Sequence, residues 1–586
     1  MSGPIRIANC SGFYGDRVSA AKEMVEDGPI DVLTGDWLAE LTMLILARTQ
    51  LKHPGSGFAR TFVTQMEQVM GTCLDRGIKV VSNAGGLNPA ACAEAVAQVA
   101  NALGLVPTIA YVNGDDLLPR LEELRETGHL MAFDSNEAID DVSSFITANA
   151  YLGCFGIAEA LSMGADIVIT GRVTDAALVC GPAAWHHDWR RDHFDELAGA
   201  VVAGHVIECG AQVTGGNYSF FRGVPGMEHV GFPWVEVAED GSSVVGKHDG
   251  TGGEVSIGTV TSQLLYEIGS PSYYGPDVTA RFDTITLEEI AKDRVRISGV
   301  RGEAPPTTLK VAMNEIGGYR KDLVVALTGL DIEEKARLIE AAFWYSSPFS
   351  PEDYDSVTTK LLRTERADPM TNEEAVALWR LTLKDHDEQK VGRVVADALV
   401  ELALSTVPGF FIPGAPPSPG APFGVYRPAR VASNLVPQYI TVFGGKRTVI
   451  DSVAPTGAVH IVANEGSRAN APDGSTTLAP LGDVCGGRSG DKGGDANLGV
   501  FARSDEGFAW LDGYLSVEEL RRLLPETAPL EIDRYRLPAL HALNFVIHGL
   551  LDEGVAASTR QDAQAKGLSE WLRSRYVEVP TSLLTP

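Results

Sequence analysis

Lys79-Val-Val-Ser-Asn-Ala-Gly-Gly-Leu-Asn-Pro89 holds a short apolar strand, a polar glycine turn and the opening of a helix that runs to about residue 103. Proline is tolerated in a helix's first turn. The same rhythm extends outward on both sides. An apolar run over 5–8 leads to Ser11-Gly-Phe-Tyr-Gly-Asp16 and a helix over 18–26. Asp31-Val-Leu-Thr34 precedes a helix over 38–50, and strand-like runs at 108–112 and 166–170 flank a helix expected over 151–163. These runs are continuously apolar rather than alternating, as in a parallel sheet covered by helices on both faces. An α/β fold follows: a large mostly parallel sheet domain with helices on both faces and crossover connections.

From about 234 to 300 the pattern shifts to strands and turns, and helices are expected again over 332–343 and 372–383. Residues 408–422 are too rich in proline and glycine for a regular element, and suit a linker or a lid. A polar, glycine-bearing stretch over 464–474 reads as a boundary. Beyond it come a strand (498–502), a helix (516–524), two further strands (532–537, 542–547) and a helix (562–575), the order of a small α+β domain. The divisions are 1–230, 231–460 and 475–586.

The 586 residues carry a net charge of −29, with 44% hydrophobic and 21% charged residues. That size exceeds one core. The negative charge argues against nucleic acid, which needs a basic face. An anionic substrate would have to be drawn by local basic spots. The seven cysteines are scattered and form no CxxC pair, which fits reduced thiols in a cytoplasm. No apolar run suggests a membrane span, and the N-terminus shows no signal-peptide pattern.

Ligands of open α/β sheets bind outside the carboxyl ends of the strands. Those ends are Asn9-Cys-Ser-Gly12 with Asp16-Arg17 beyond, Thr34-Gly-Asp36, Asn83-Ala-Gly-Gly86, Asn113-Gly-Asp115, and Thr170-Gly-Arg172 with Thr174-Asp175. Singly, each is ordinary turn chemistry; together they converge on one rim. Arg172 suits an anion. Asp175, three residues on, would pair with it, cap a helix or act at the site.

Two denser segments lie elsewhere. Gly204-His-Val-Ile-Glu-Cys-Gly-Ala-Gln-Val-Thr-Gly-Gly-Asn217 offers Glu208 as acid or base, and Gln212, Thr214 and Asn217 as polar contacts. Cys209 is a nucleophile only if a base is found for it; otherwise it packs. Arg488-Ser-Gly-Asp-Lys-Gly-Gly-Asp-Ala-Asn497 reads as a glycine loop in which Arg488, Lys492 and Asn497 hold an anion, or else as a solvated turn with weak local ion pairs. Lys247-His-Asp-Gly-Thr-Gly-Gly253 is not a P-loop. There is no G-x-G-x-x-G, H-E-x-x-H or G-x-S-x-G. His186, His187 and His193 lie near acids but point different ways on a helix, and no metal site is expected. The candidate catalytic residues are thus Glu208, Asp175, Asp16 and Gln212. The candidate binding residues are Arg172, Asn83, Gly85, Gly86, Thr214, Asn217, Arg488, Lys492 and Asn497.

Ser11-Gly-Phe-Tyr-Gly-Asp-Arg17, Asn83-Ala-Gly-Gly86, Thr170-Gly-Arg-Val-Thr-Asp175 and Glu208-Cys-Gly-Ala-Gln-Val-Thr-Gly-Gly-Asn217 resemble the acyclic terpene utilisation family, AtuA. Arg488–Asn497, Glu553-Gly554 and Asp562-Ala-Gln-Ala-Lys566 resemble the ferredoxin-fold domain that accompanies it. Tyr14 stands where the family more usually has tryptophan, which leaves the backbone role of that loop intact. The resemblance implies bacterial breakdown of citronellol- and geraniol-like acids as coenzyme A thioesters. It also implies lysis or hydration of a branched acyl-CoA, with coenzyme A present as part of the substrate and no other cofactor. It transfers no catalytic residues, and fold alone does not give function. The alternative is a non-catalytic subunit docking to an acyl-CoA carboxylase. Self-association into a homo-oligomer is expected in either case.

Overall fold

Alternate residues of the central strands feed two different cores, and this is why those strands read as unbroken apolar runs. In the computed structural model the described residues are 3–584 except 134, 136, 415–418, 452–461, 465, 467 and 468. Strands Ile5–Asn9, Val32–Gly35, Lys79–Ser82, Ile167–Thr170 and Ile109–Asn113 lie side by side in that order, all parallel. Ile7, Val32, Val81 and Val168 face one core; Ala8, Leu33, Val80 and Ile169 face the other. Helices Arg60–Arg76 and Pro89–Leu103 cover the second face through Phe62, Met66, Val69 and Val96. Helices Phe155–Ser162, Ala177–His187 and Phe194–Ile207 cover the first through Ile157, Val179 and Val202. The Asn88 side chain accepts from Ala91 N ahead of Pro89, so the turn quoted first is a capped helix start.

The sheet is not mostly parallel. Its eleven strands continue antiparallel on both flanks. On one side lie Pro233–Val237, Ser243–Lys247, Arg294–Ser298 and Thr286–Ala291. On the other lie Gln438–Val442 and Arg447–Ile450. Short hairpin connections make such flanks easy to add without further crossover helices.

The stretch expected as a helix over 372–383 is instead the strand Val376–Asp385. Ala377, Trp379, Leu381 and Leu383 are buried at every second position, a period that only a strand turns to one face. Arg488–Asn497 is likewise not a loop. Strands Cys485–Lys492 and Asp495–Ala502 pair across a Gly493-Gly494 turn, with Arg488 opposite Gly499 and Lys492 opposite Asp495. The glycines here make room for rings: a Cβ on Gly486 would collide with Phe501, and one on Gly490 with Tyr266. The four-stranded antiparallel sheet continues through Ala542–Ile547 and Ile532–Leu537. Helices Asp505–Tyr514, Val517–Leu523 and Leu568–Arg573 complete this small α+β domain around Leu511, Leu520, Phe545 and Leu572.

The chain packs as two compact units. The first holds the residues up to Asn314, Tyr426–Val555 and those from Asp562 onward, and so includes both the large sheet and the small domain. The second holds Glu315–Val425 and Ala556–Gln561, with a core of Leu323, Val325, Phe343 and Trp379. In the proline-rich stretch Phe410–Phe411 forms a short strand; residues 415–418, and 465, 467 and 468 of the expected boundary, lie outside the described residues. Among the described residues no helix is long and apolar enough to cross a membrane.

Candidate functional site

The strand Ile167–Thr170 delivers Gly171-Arg172 to the rim. A Cβ on Gly171 would collide with the Asp115 carboxyl, so the backbone packs directly on that group. Asp115 Oδ2 accepts from Arg172 N at 2.9 Å and from Asn149 Nδ2 at 2.8 Å. The Arg172 side chain then turns inward, 3% exposed, over the Tyr151 ring at 4.1 Å. Its Nη1 donates to Asp175 Oδ1 at 2.7 Å and to Leu38 O at 3.0 Å. Its Nε and Nη2 donate to no described residue.

A second wall stands beside it. Tyr151 Oη donates to Glu40 Oε1 at 2.8 Å. Lys310 Nζ lies 3.5 Å from the same oxygen, and 5.0 and 5.6 Å from the Tyr151 and Tyr426 ring centres. Glu40 and Lys310 are ringed by protein atoms, yet their side chains keep 30% and 32% of their surface. Groups that are both deeply enclosed and accessible line a recess.

The third component is Glu208, at the end of the helix Phe194–Ile207, which is buried from Leu197 onward. Asn9 Nδ2 donates to the carbonyls of Ile207 and Glu208 at 2.6 and 3.0 Å, pinning that helix end to the first strand. Glu208 Oε1 is 3.1 Å from His205 Nδ1 without hydrogen-bond alignment, and Oε2 has no partner among the described residues.

Burial, reinforced by Asp175 and Glu267, pushes the Glu208 carboxyl well above the usual range. Burial and then Asp175 do the same to Asp36, whose Oδ1 accepts from Asn83 Nδ2 at 2.5 Å. Burial also raises Asp175, although Arg172 opposes it. Burial would raise Glu40 too, but Lys310 and Arg172 outweigh it and hold that carboxyl at about 2. Burial lowers His205 to about 4, leaving it neutral. Glu40 is therefore held toward its ionised form and Glu208 toward its protonated form near the Arg172 cation, the kind of division that acid–base chemistry uses. Burial beside Glu208 also pushes the Cys209 thiol up, which disfavours a thiolate nucleophile.

Residues 5–442 match the family described as acyclic terpene utilisation family protein AtuA, and residues 479–578 match the AtuA ferredoxin-like domain.

The chain belongs to the AtuA family.

Membership implies a part in acyclic terpene utilisation. No curated protein matches the chain. The AtuA match carries Glu40, Tyr151, Arg172, Asp175, Glu208 and Lys310; the ferredoxin-like match carries Arg488, Lys492 and Asn497.

Within this AtuA framework the expected residues separate by what they touch. Arg172, Asp175 and Glu208 fall within one another's electrostatic reach, with Asp36 held beside them by Asn83. Asp16 accepts from Gly12 N and Arg17 N, both at 2.9 Å, and lies against Gly210, which joins the first strand end to the Glu208 turn. A Cβ on Gly85 would collide with Thr170 O, and Gly86 takes a φ of +53°, so both glycines permit close packing. Thr214 Oγ1 sits between the carbonyls of Ala211 and Gly231. Asn217, exposed on its turn, lies 3.5 Å from Gln212 Oε1. In the ferredoxin-like domain, Asn497 Oδ1 accepts from Glu267 N at 2.8 Å and Lys492 Nζ donates to Glu267 O at 3.3 Å. Arg488 stacks on Tyr266.

Glu40, Tyr151, Lys310, Tyr426, Tyr266 and Glu267 were not anticipated. None sits in a glycine-rich motif. Glu40 lies four residues past the strand-end Asp36, and Lys310 sits near the start of the strand Thr308–Thr328 with apolar Leu309 and Val311 on either side; both are signals that a longer view of each strand end would have caught.

Proposed function

We propose that the recess binds a branched acyl-CoA from acyclic terpene breakdown and that the chain hydrates it or lyses its hydroxylated form. The supporting observation is the buried Glu208 carboxyl, one oxygen of which has no partner among the described residues, within electrostatic reach of the Asp175–Arg172 pair. In hydration, Asp175 takes a proton from water as the oxygen adds to the β-carbon. The π electrons move toward the α-carbon and the thioester carbonyl. The N–H groups of Arg172 that have no partner among the described residues steady the charge on that carbonyl oxygen. Glu208 returns a proton to the α-carbon. The reverse order expels water. Burial raises the proton affinity of both acids above that of an ordinary carboxylate, which suits this exchange.

The test is turnover of short and branched enoyl- and hydroxyacyl-CoAs, with Glu208→Gln and Arg172→Ala beside the parent chain. The expected loss for Glu208→Gln is about 10²–10⁴-fold in kcat. Unchanged turnover in both variants would remove these residues from the chemistry. A parent chain inert on every thioester, and recovered from cells with an acyl-CoA carboxylase, would favour a subunit role instead.

A further inference from the structure

We infer that the ferredoxin-like domain supplies an oxyanion subsite built on Arg488, which takes a phosphate or carboxylate group of the ligand. Arg488 lies on the edge strand Cys485–Lys492. Gly490, two residues on and facing the same way, lets the Tyr266 ring lie against the strand. The guanidinium stacks 4.5 Å from that ring and only 8% of the residue is exposed. None of its N–H groups donates to a described residue, no carboxylate of a described residue lies within ion-pair distance, and Nε is fully enclosed.

Neighbouring cations differ. Arg573 forks onto Glu570 at 2.6 and 2.7 Å. Lys566, 4.5 Å from the same Tyr266 ring, reaches the Tyr266 hydroxyl and lies 3.6 Å from Glu267 and 3.7 Å from Asp491. A guanidinium taken out of water without a counter-charge is strongly disfavoured. Its planar fork matches carboxylate and phosphate oxygens. Burial, reinforced by Glu267, pushes Asp491 up to about 7 even with Lys566 beside it, which lessens the negative charge this strand presents to an incoming anion. Glu267 acts electrostatically on Glu208 as well as on Tyr266 and Asp491, so the subsite adjoins the recess. That its ligand is the substrate rests on the function proposed above: either the phosphates of a coenzyme A thioester or the carboxylate of a free acid.

Calorimetric titration at fixed ionic strength tests it. The probes are coenzyme A, inorganic pyrophosphate and 3-methylbutanoate. The proteins are the parent chain, Arg488→Gln, Arg488→Lys and Glu208→Gln. At least one probe is expected to bind the parent, about tenfold or more weakly to Arg488→Gln, and with intermediate affinity to Arg488→Lys, which keeps the charge if the glutamine variant does not fold. Loss confined to coenzyme A and pyrophosphate identifies phosphate; loss confined to 3-methylbutanoate identifies carboxylate. Glu208→Gln is expected to keep this affinity, so a failed turnover prediction leaves the subsite standing. Equal affinity of the parent and both Arg488 variants, or no binding of any probe by the parent, overturns the inference.

Discussion

Gly171 shows how much of the site depends on a missing side chain. Its backbone rests on Asp115, which in turn fixes the amide of Arg172. Gly171→Ala must push that carboxyl off Arg172 N and Asn149, and is expected to lower stability by about 1–3 kcal/mol in denaturant unfolding, as overpacking does. Glu208 carries a pH signature. Its folded pKa lies above the ordinary 4.5, so the native state keeps a proton that the unfolded chain releases. Its contribution to stability is therefore greatest below pH 4.5 and is lost as pH rises toward the raised value. Glu208→Gln cannot titrate. It should match the parent most closely at or below pH 4.5 and gain relative stability at each step above it; parallel curves from pH 4.5 to 8 would mean that Glu208 is not proton-bearing in the fold. Arg488→Met, which removes a buried charge with no partner among the described residues, is expected to raise the stability of the ligand-free protein by about 1–4 kcal/mol. A loss would mean that packing on Tyr266 outweighs the desolvated charge.

Between elements, two asparagines carry buried hydrogen bonds across the seam of the small domain against the large sheet. Asn497 accepts from Glu267 N and bonds the Asn544 side chain, and Asn544 Nδ2 donates to Gly269 O at 2.7 Å. Both side chains are fully buried. Asn497→Ala leaves a backbone donor and an amide unmatched, at a cost of about 1–3 kcal/mol readable by thermal unfolding. The βα units were legible because their strands are buried on both faces and their turns carry glycine and polar residues. That Arg172, Asp175 and Glu208 come within one another's electrostatic reach was legible because all three lie at strand or helix ends, which such sheets bring to one rim. The strand Cys485–Lys492 was not, since its glycines make space for Phe501 and Tyr266, two partners invisible in the local sequence. Lys310 was hidden for a similar reason: nothing near it in the chain announces Tyr151, Tyr426 or Glu40.

At the scale of the molecule, order along the chain and order in space diverge. Strands Gln438–Val442 and Arg447–Ile450 return to the edge beside Ile109–Asn113 after more than a hundred residues spent in the second unit. Phe501, Leu537, Leu540 and Ala542 of the small domain belong to the same buried cluster as the large sheet, and Phe220 meets Phe501 edge-on with ring centres 6.4 Å apart. A chain ending at 474 would expose that face, and is expected to aggregate where the full chain stays dispersed, as light scattering would show.

Gathering Glu40, Arg172, Asp175, Glu208 and Lys310 into one recess is the arrangement on which the proposed chemistry stands. Steady-state turnover of a 3-methyl-branched enoyl-CoA by the parent chain and by Glu208→Gln addresses it most directly. The expected result is a kcat lower by about 10²–10⁴-fold with KM little changed. Equal kcat in the two proteins would contradict it.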